Sequence, residues 1–262
     1  MANFVSAFRD VREGLRLAPI WLSLGWDQTV GRFRRTLLGP FWLSSGLLAM
    51  AIALSFVFGA LLGMDWRASF PLVLLGILSW SVVGGVLAEA AMLFVNAGQY
   101  MQLQKLPLSF HVFLHMYRVI INFAAQFVVA IIVLLVLGLM TVPHWSFLVA
   151  LPIVLVNSAL LSFIVAIPST RFRDLAQAVL LIIPVLFFLT PIFWSAEHMS
   201  PNRRMIVDYN PLAHEVALLR EPLMGRAPDP ANWAWGLGLL AVSAVVAFIM
   251  LAIYRRRVIF WL

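Results

Sequence analysis

His111 and His115 stand four residues apart, a spacing that places two imidazoles on one face of a helix. That is half of a zinc site. The other half has no counterpart in the sequence: there is no H-E-x-x-H, no cysteine and no evident third ligand. The pair reads instead as a boundary at the inner leaflet. The single lysine, Lys105, does not belong to a G-x-x-x-x-G-K-[ST] loop, so this chain cannot hydrolyse ATP through a P-loop of its own. No G-x-S-x-G elbow offers a serine nucleophile either. Two charges inside apolar runs remain to be explained, Glu89 and Arg118, because ionisable groups in such runs are costly. Glu89 lies about 9 Å from the end of its run and Arg118 about 12 Å into the next, at 1.5 Å per residue. Their depths match, so they are expected to pair or to face one wet cavity.

The elements that hold these residues are membrane spans. The chain has 262 residues, 63% of them hydrophobic and 11% charged, against about 25% charged in a soluble domain. Such a surface would not stay in water. The net charge of +7 could suggest nucleic acid, but the basic residues sit mostly beside apolar runs, where they set orientation; no nucleic-acid partner is expected. No signal-peptide pattern is visible, since the first long apolar run begins near Leu37. Spanning takes roughly 20 apolar residues, and six stretches qualify: about 38–63, 71–95, 110–140, 145–167, 175–194 and 233–254. Helix is the state that satisfies a backbone in lipid. The expected fold is therefore all-α, an integral membrane protein with six transmembrane helices spread over residues 37–262. Residues 1–36 form an amphipathic interface segment on the cytoplasmic side.

Orientation follows from Lys and Arg. One side carries Arg9, Arg12, Arg16, Arg32, Arg34, Arg35, Lys105, Arg171, Arg173 and Arg255 to Arg257. The other carries Arg67, Arg203, Arg204, Arg220 and Arg226. This bias places both termini in the cytoplasm. The arginines of RFRRTLLGPFW, residues 32 to 42, act as a stop at the inner leaflet, and Gly39-Pro40 starts or bends the first span. Trp42, Trp66, Trp145, Trp194, Trp233, Trp235 and Trp261 lie near span ends, as an interfacial belt should.

Three segments lie outside the spans. Near the N-terminus, Phe4, Phe8, Val11 and Leu15 recur at helical spacing among Arg9, Asp10, Arg12, Glu13 and Arg16. Such a helix lies on the membrane surface or meets a cytoplasmic partner. Residues 96–109, NAGQYMQLQKLPLS, suit a short helix below the membrane, closed by Pro107. Residues 195–232 are too long for a plain loop and are divided by five prolines. LAHEVALLRE, 212 to 221, is an amphipathic run too short to span, which suits a re-entrant or interfacial helix on the outer side.

Taken in order, these pieces resemble a family. RFRRTLLGPFW, RFRDL at 171 to 175, FFLTPIFW at 187 to 194, YNPLAHEVALLREPLMG at 209 to 225 and the tail YRRRVIFWL at 254 to 262 are similar to segments of the membrane subunits of type-2 ATP-binding-cassette exporters. The resemblance is to the permeases that move O-antigen, capsule or teichoic-acid chains, and it covers essentially the whole chain. The loop around QLQKLPLS fits less sharply. The resemblance implies a homodimer in the bacterial inner membrane with two copies of a separate P-loop ATPase docked below. ATP and Mg would belong to that partner, and this chain would bind no cofactor or metal. It further implies an undecaprenyl-diphosphate-linked glycan threaded between the subunits. On that reading Arg32, Arg34 and Arg35 hold topology and also meet the diphosphate. Phe41, Trp80, Phe187, Phe188, Phe193 and Trp194 become candidates for a channel lining on which sugar rings stack. Phe8, Arg12, Gln102, Gln104, Lys105, Arg171, Arg173 and Asp174 become candidates for ATPase contacts. Tyr209, Asn210, Glu215 and Arg220 would belong to an external gate.

Two other classes compete. An ion-gradient-driven secondary transporter or channel would function without an ATPase; no internal repeat supports it. An intramembrane enzyme acting on lipid-linked sugars would need convergent carboxylates or histidines in the spans, and Glu89 is the one carboxylate there.

Overall fold

The computed structural model describes residues 2–31, 36, 41–61, 63–194 and 200–262. Among them every regular element is helical. Two short helices lead the chain, α1 (Ala2–Arg16) and α2 (Ala18–Val30). Long helices follow: α3 (Phe41–Leu61), α4 (Trp66–Ala90), α7 (Leu108–Val136), α8 (Phe147–Arg171), α9 (Arg173–Leu189) and α12 (Pro230–Tyr254). The short α5 (Leu93–Asn96) and α6 (Gly98–Leu103) join α4 to α7. Between α9 and α12 lie α10 (Pro201–Asp208) and α11 (Pro211–Leu223), and the chain closes on a 3-10 turn, Val258–Trp261. The chain is a multi-pass membrane protein.

Among the described residues, five helices are long and apolar enough to cross a membrane: α4, α7, α8, α12 and the Ser44–Leu61 part of α3. The fifth expected span, 175–194, is shorter than anticipated. α9 has 17 residues, about 26 Å at 1.5 Å per residue, against a hydrocarbon core of about 30 Å. Its end is dictated by Pro191, which disfavours helical backbone at the residue before it. Thr190 is extended, with φ −91° and ψ 135°. Residues 190–194 then form a turn that leans on α4. Gly76 permits this, because a Cβ there would stand 2.2 Å from the carbonyl oxygen of Ile192.

The bundle has two ends. Both termini meet at one, hereafter the terminal face: α1 packs on α7 and α12, and the closing 3-10 turn packs on α6 and α8. α11 enters from the opposite end and packs against α4, α8 and α12. Its apolar side, Val216, Leu218, Leu219 and Leu223, is fully buried in the main core beside Leu74, Leu75 and Leu78 of α4. A 13-residue helix buried this way cannot cross a bilayer, but it can plug one end of a bundle.

Candidate functional site

At the terminal face, α1 uses two sides. Phe4, Phe8 and Leu15 are exposed, as a helix lying on a membrane surface requires. The side turned to the bundle carries Ala7, Asp10 and Gly14, all buried. Gly14 lets the helix backbones approach closely, since a Cβ there would meet Ser109 Oγ at 2.3 Å. Asp10 caps α7: the backbone N–H groups of Leu108 and Ser109 donate to its carboxylate at 3.2 and 3.0 Å. These are donors that a helix start leaves without intrahelical partners. Ser109 Oγ donates to the Asp10 carbonyl at 2.7 Å. Arg255, at the end of α12, lies 3.8 Å from the same carboxylate and donates to the Ser6 carbonyl. One buried acid thus ties the first helix, the start of α7 and the end of α12 together.

The candidate ATPase-contact residues belong to elements at this end of the bundle. Phe8, Arg12, Gln102, Gln104, Lys105, Arg171, Arg173 and Asp174 are all exposed. Arg171 sits 5.1 Å over Phe172 and 5.4 Å over Trp261, which joins the α8–α9 corner to the C-terminal turn. Arg32, Arg34 and Arg35 lie outside the described residues, as does the side chain of Phe41.

The aromatic candidates meet, but mostly inside one chain. Trp80 packs edge-on against Phe187 at 5.8 Å, Phe187 and Phe188 each lie 5.7 Å from Phe193, and Phe193 contacts Phe58 at 4.4 Å. Trp80, Phe187 and Phe193 are buried core residues. Burial leaves them no face for a passing sugar in this single chain, so their placement departs from a channel lining. Phe188 is 56% exposed, and Trp194 is half-buried, its indole N–H donating to the Phe188 carbonyl at 3.3 Å.

Glu89 and Arg118 line one cavity, together with His111 and His115. They do not form an ion pair within 4.0 Å; Glu89 Oε2 lies 3.5 Å from His115 Nδ1 instead. α4 stops at Ala90, so Glu89 occupies its last turn rather than a position well inside a span.

At the opposite end, α11 clamps the turn after α9. Asn210 caps α11 by accepting from Leu212 N–H at 3.0 Å, and its amide donates to Thr190 Oγ1 at 3.2 Å. The Arg220 guanidinium donates to the Pro191 carbonyl and, at 3.2 and 2.9 Å, to Glu221. Glu221 also holds Arg226 at 2.9 Å. Of the gate candidates, Glu215 and Arg220 point inward as structural groups, while Tyr209 is exposed. His214, not anticipated, donates from Nε2 to the Asp208 carbonyl at 3.0 Å, holds Nδ1 2.7 Å from Asn232 Oδ1, and stacks on Trp235 at 5.2 Å.

Glu215 is 1% exposed. The Asn157 amide donates to it at 2.8 Å and to the Gly236 carbonyl at 3.0 Å.

Residues 20–224 match the family described as ABC-2 type transporter. The chain belongs to that family. This ABC-2 type transporter is also similar to two O-antigen export system permease proteins RfbA of Klebsiella pneumoniae. Each is 22% identical over 229 residues, which cover 86% of this chain and 86% of the relative. The family match takes in nearly all of α2, the cavity with Glu89 and Arg118, the aromatic cluster and all of α11; α1 and α12, with the Arg255 side of the Asp10 tie, lie outside it.

Proposed function

We propose that this ABC-2 type transporter is the channel-forming membrane subunit of an ATP-driven exporter that moves a lipid-linked polysaccharide, of O-antigen or capsule type, out of the cytoplasm. The observation that carries the reading is the family membership, joined to similarity over 86% of the chain to O-antigen export permeases. In this reading the chain sits in a bacterial inner membrane with both termini cytoplasmic. ATP and Mg are bound by a separate P-loop ATPase, two copies of which dock on two copies of this chain. The exposed set from Phe8 to Asp174 on the terminal face offers the docking surface. A channel between two copies needs a face that one chain leaves uncovered. The exposed side of α9, with Leu181, Ile182, Val185 and Phe188, offers one beside the aromatic cluster. α11 and the 190–194 turn form the outer gate, and Arg32, Arg34 and Arg35 meet the undecaprenyl diphosphate.

Purification from the native host in mild detergent, followed by intact-complex mass spectrometry, tests this. Two copies of this chain with two of a P-loop ATPase are expected. A chain that purifies alone, even after crosslinking, would overturn the ATPase-driven reading and favour an ion-driven transporter.

A further inference from the structure

The cavity that holds Glu89 and Arg118 lies beneath α2 and has a volume of about 510 Å³, within the range of small-molecule sites. Its walls are of two kinds. Ile20 and Leu24 of α2 face Leu114 and Phe110 of α7, giving an apolar side. Gln28, Asn96, Tyr100 and Gln104 join the two charges on the polar side. A cavity with one oily and one charged wall suits an amphiphile.

Its height fits a lipid headgroup. α7 has 29 residues, about 44 Å at 1.5 Å per residue, against a hydrocarbon core of about 30 Å. About nine residues at one end must therefore lie outside the hydrocarbon. At the far end only a short connection, 137–146, separates α7 from α8. At the near end α1 and α2 cover the helix. The overhang belongs to the near end, which places the hydrocarbon boundary close to Arg118.

The charges specify the headgroup. Among the described residues Arg118 has no carboxylate within 4.0 Å, though it is only half-exposed. Glu89 keeps 54% of its side chain accessible. His111 and His115 are buried on the same wall, and the Nε2 of each lacks a hydrogen-bond partner. A lone phosphate would satisfy Arg118 but face Glu89. A headgroup carrying a phosphate and, two carbons away, an ammonium satisfies both. We propose that this cavity is a site for a resident aminophospholipid of the phosphatidylethanolamine type, with its phosphate on Arg118, its ammonium on Glu89 and its chains against Ile20, Leu24 and Leu114. The bound lipid fastens α2 to the bundle. The site does not depend on which substrate is exported.

The test uses the full chain, with its co-purifying partners, in detergent. Native mass spectrometry follows retention of dioleoyl phosphatidylethanolamine, dioleoyl phosphatidylglycerol and undecaprenyl diphosphate offered together. Wild type should retain phosphatidylethanolamine about tenfold over phosphatidylglycerol, the scale of one charge-assisted hydrogen bond. Glu89→Gln should remove that preference while phosphate lipids still bind. Arg118→Gln should weaken retention of every phosphate lipid about tenfold. Leu24→Trp, which fills the cavity from α2 without touching a charge, should release the lipid too, and it serves where Arg118→Gln fails to fold. Equal retention of the two phospholipids by wild type, or retention unaffected by Leu24→Trp, would overturn the site. Loss of undecaprenyl diphosphate on Leu24→Trp, with phosphatidylethanolamine retention unaffected, would overturn it in favour of the substrate lipid.

Discussion

Replacing Arg220 with alanine should destabilise the chain by about 3 kcal/mol, the scale of breaking a buried charge pair from one side, and stop transport. Arg220 is 8% exposed. Its guanidinium serves two acceptors at once, the Pro191 carbonyl and the Glu221 carboxylate. Alanine leaves the Pro191 carbonyl unpaired where water does not reach, and it leaves Glu221 with Arg226 alone. Of the turn's hydrogen bonds to α11, the Asn210 bond to Thr190 then remains. Arg220→Lys should recover part of the stability but little transport, because an ammonium lacks the planar fork that reaches both acceptors. Denaturant unfolding and a transport assay on the same preparations check the two halves. Normal transport by Arg220→Ala would remove the clamp from the account.

The second large effect is expected at the other end. Asp10→Ala takes the cap from α7 and leaves the N–H groups of Leu108 and Ser109 buried without acceptors. Lost capping and unpaired donors together cost about 3 kcal/mol. Arg255 loses its carboxylate as well. In the proposed exporter this tie joins the ATPase-facing helix α1 to two spans. Asp10→Ala should then leave ATP hydrolysis running while transport falls, whereas Asp10→Asn, which keeps one acceptor, should be milder on both counts. Parallel loss of hydrolysis and transport would show a tie that holds the fold without carrying motion.

Much of this architecture was legible in the sequence because bilayer thickness is a length rule. Apolar runs of about 20 residues locate α3, α4, α7, α8 and α12 within a few residues. The same rule overextended the fifth run. FFLTPIFW is apolar throughout, so hydropathy continues past Leu189, whereas the helix stops where Pro191 constrains Thr190. The site was less legible. Asp10 reads as one more polar residue on a surface helix, and its role exists only once α7 and α12 arrive. The cue available was its place between Ala7 and Gly14, three and four residues away, on the side opposite the bulky stripe. Asn157, an amide in the middle of a 25-residue apolar helix, was a plainer signal of a buried polar partner. For the aromatic residues, chain position does not say whether rings line a path or fill a core. In this single chain Trp80, Phe187 and Phe193 are buried in the main core and pack on one another.

The most direct test of the exporter reading uses inside-out inner-membrane vesicles carrying undecaprenyl-diphosphate-linked glycan on their outer, formerly cytoplasmic, face. Added glycosidase reports how much glycan has moved inside. With ATP, and with the proton gradient collapsed by a protonophore, the glycan should become protected in vesicles that contain this chain and remain exposed in vesicles that lack it. Protection that needs no ATP and disappears with the protonophore would contradict an ATP-driven exporter.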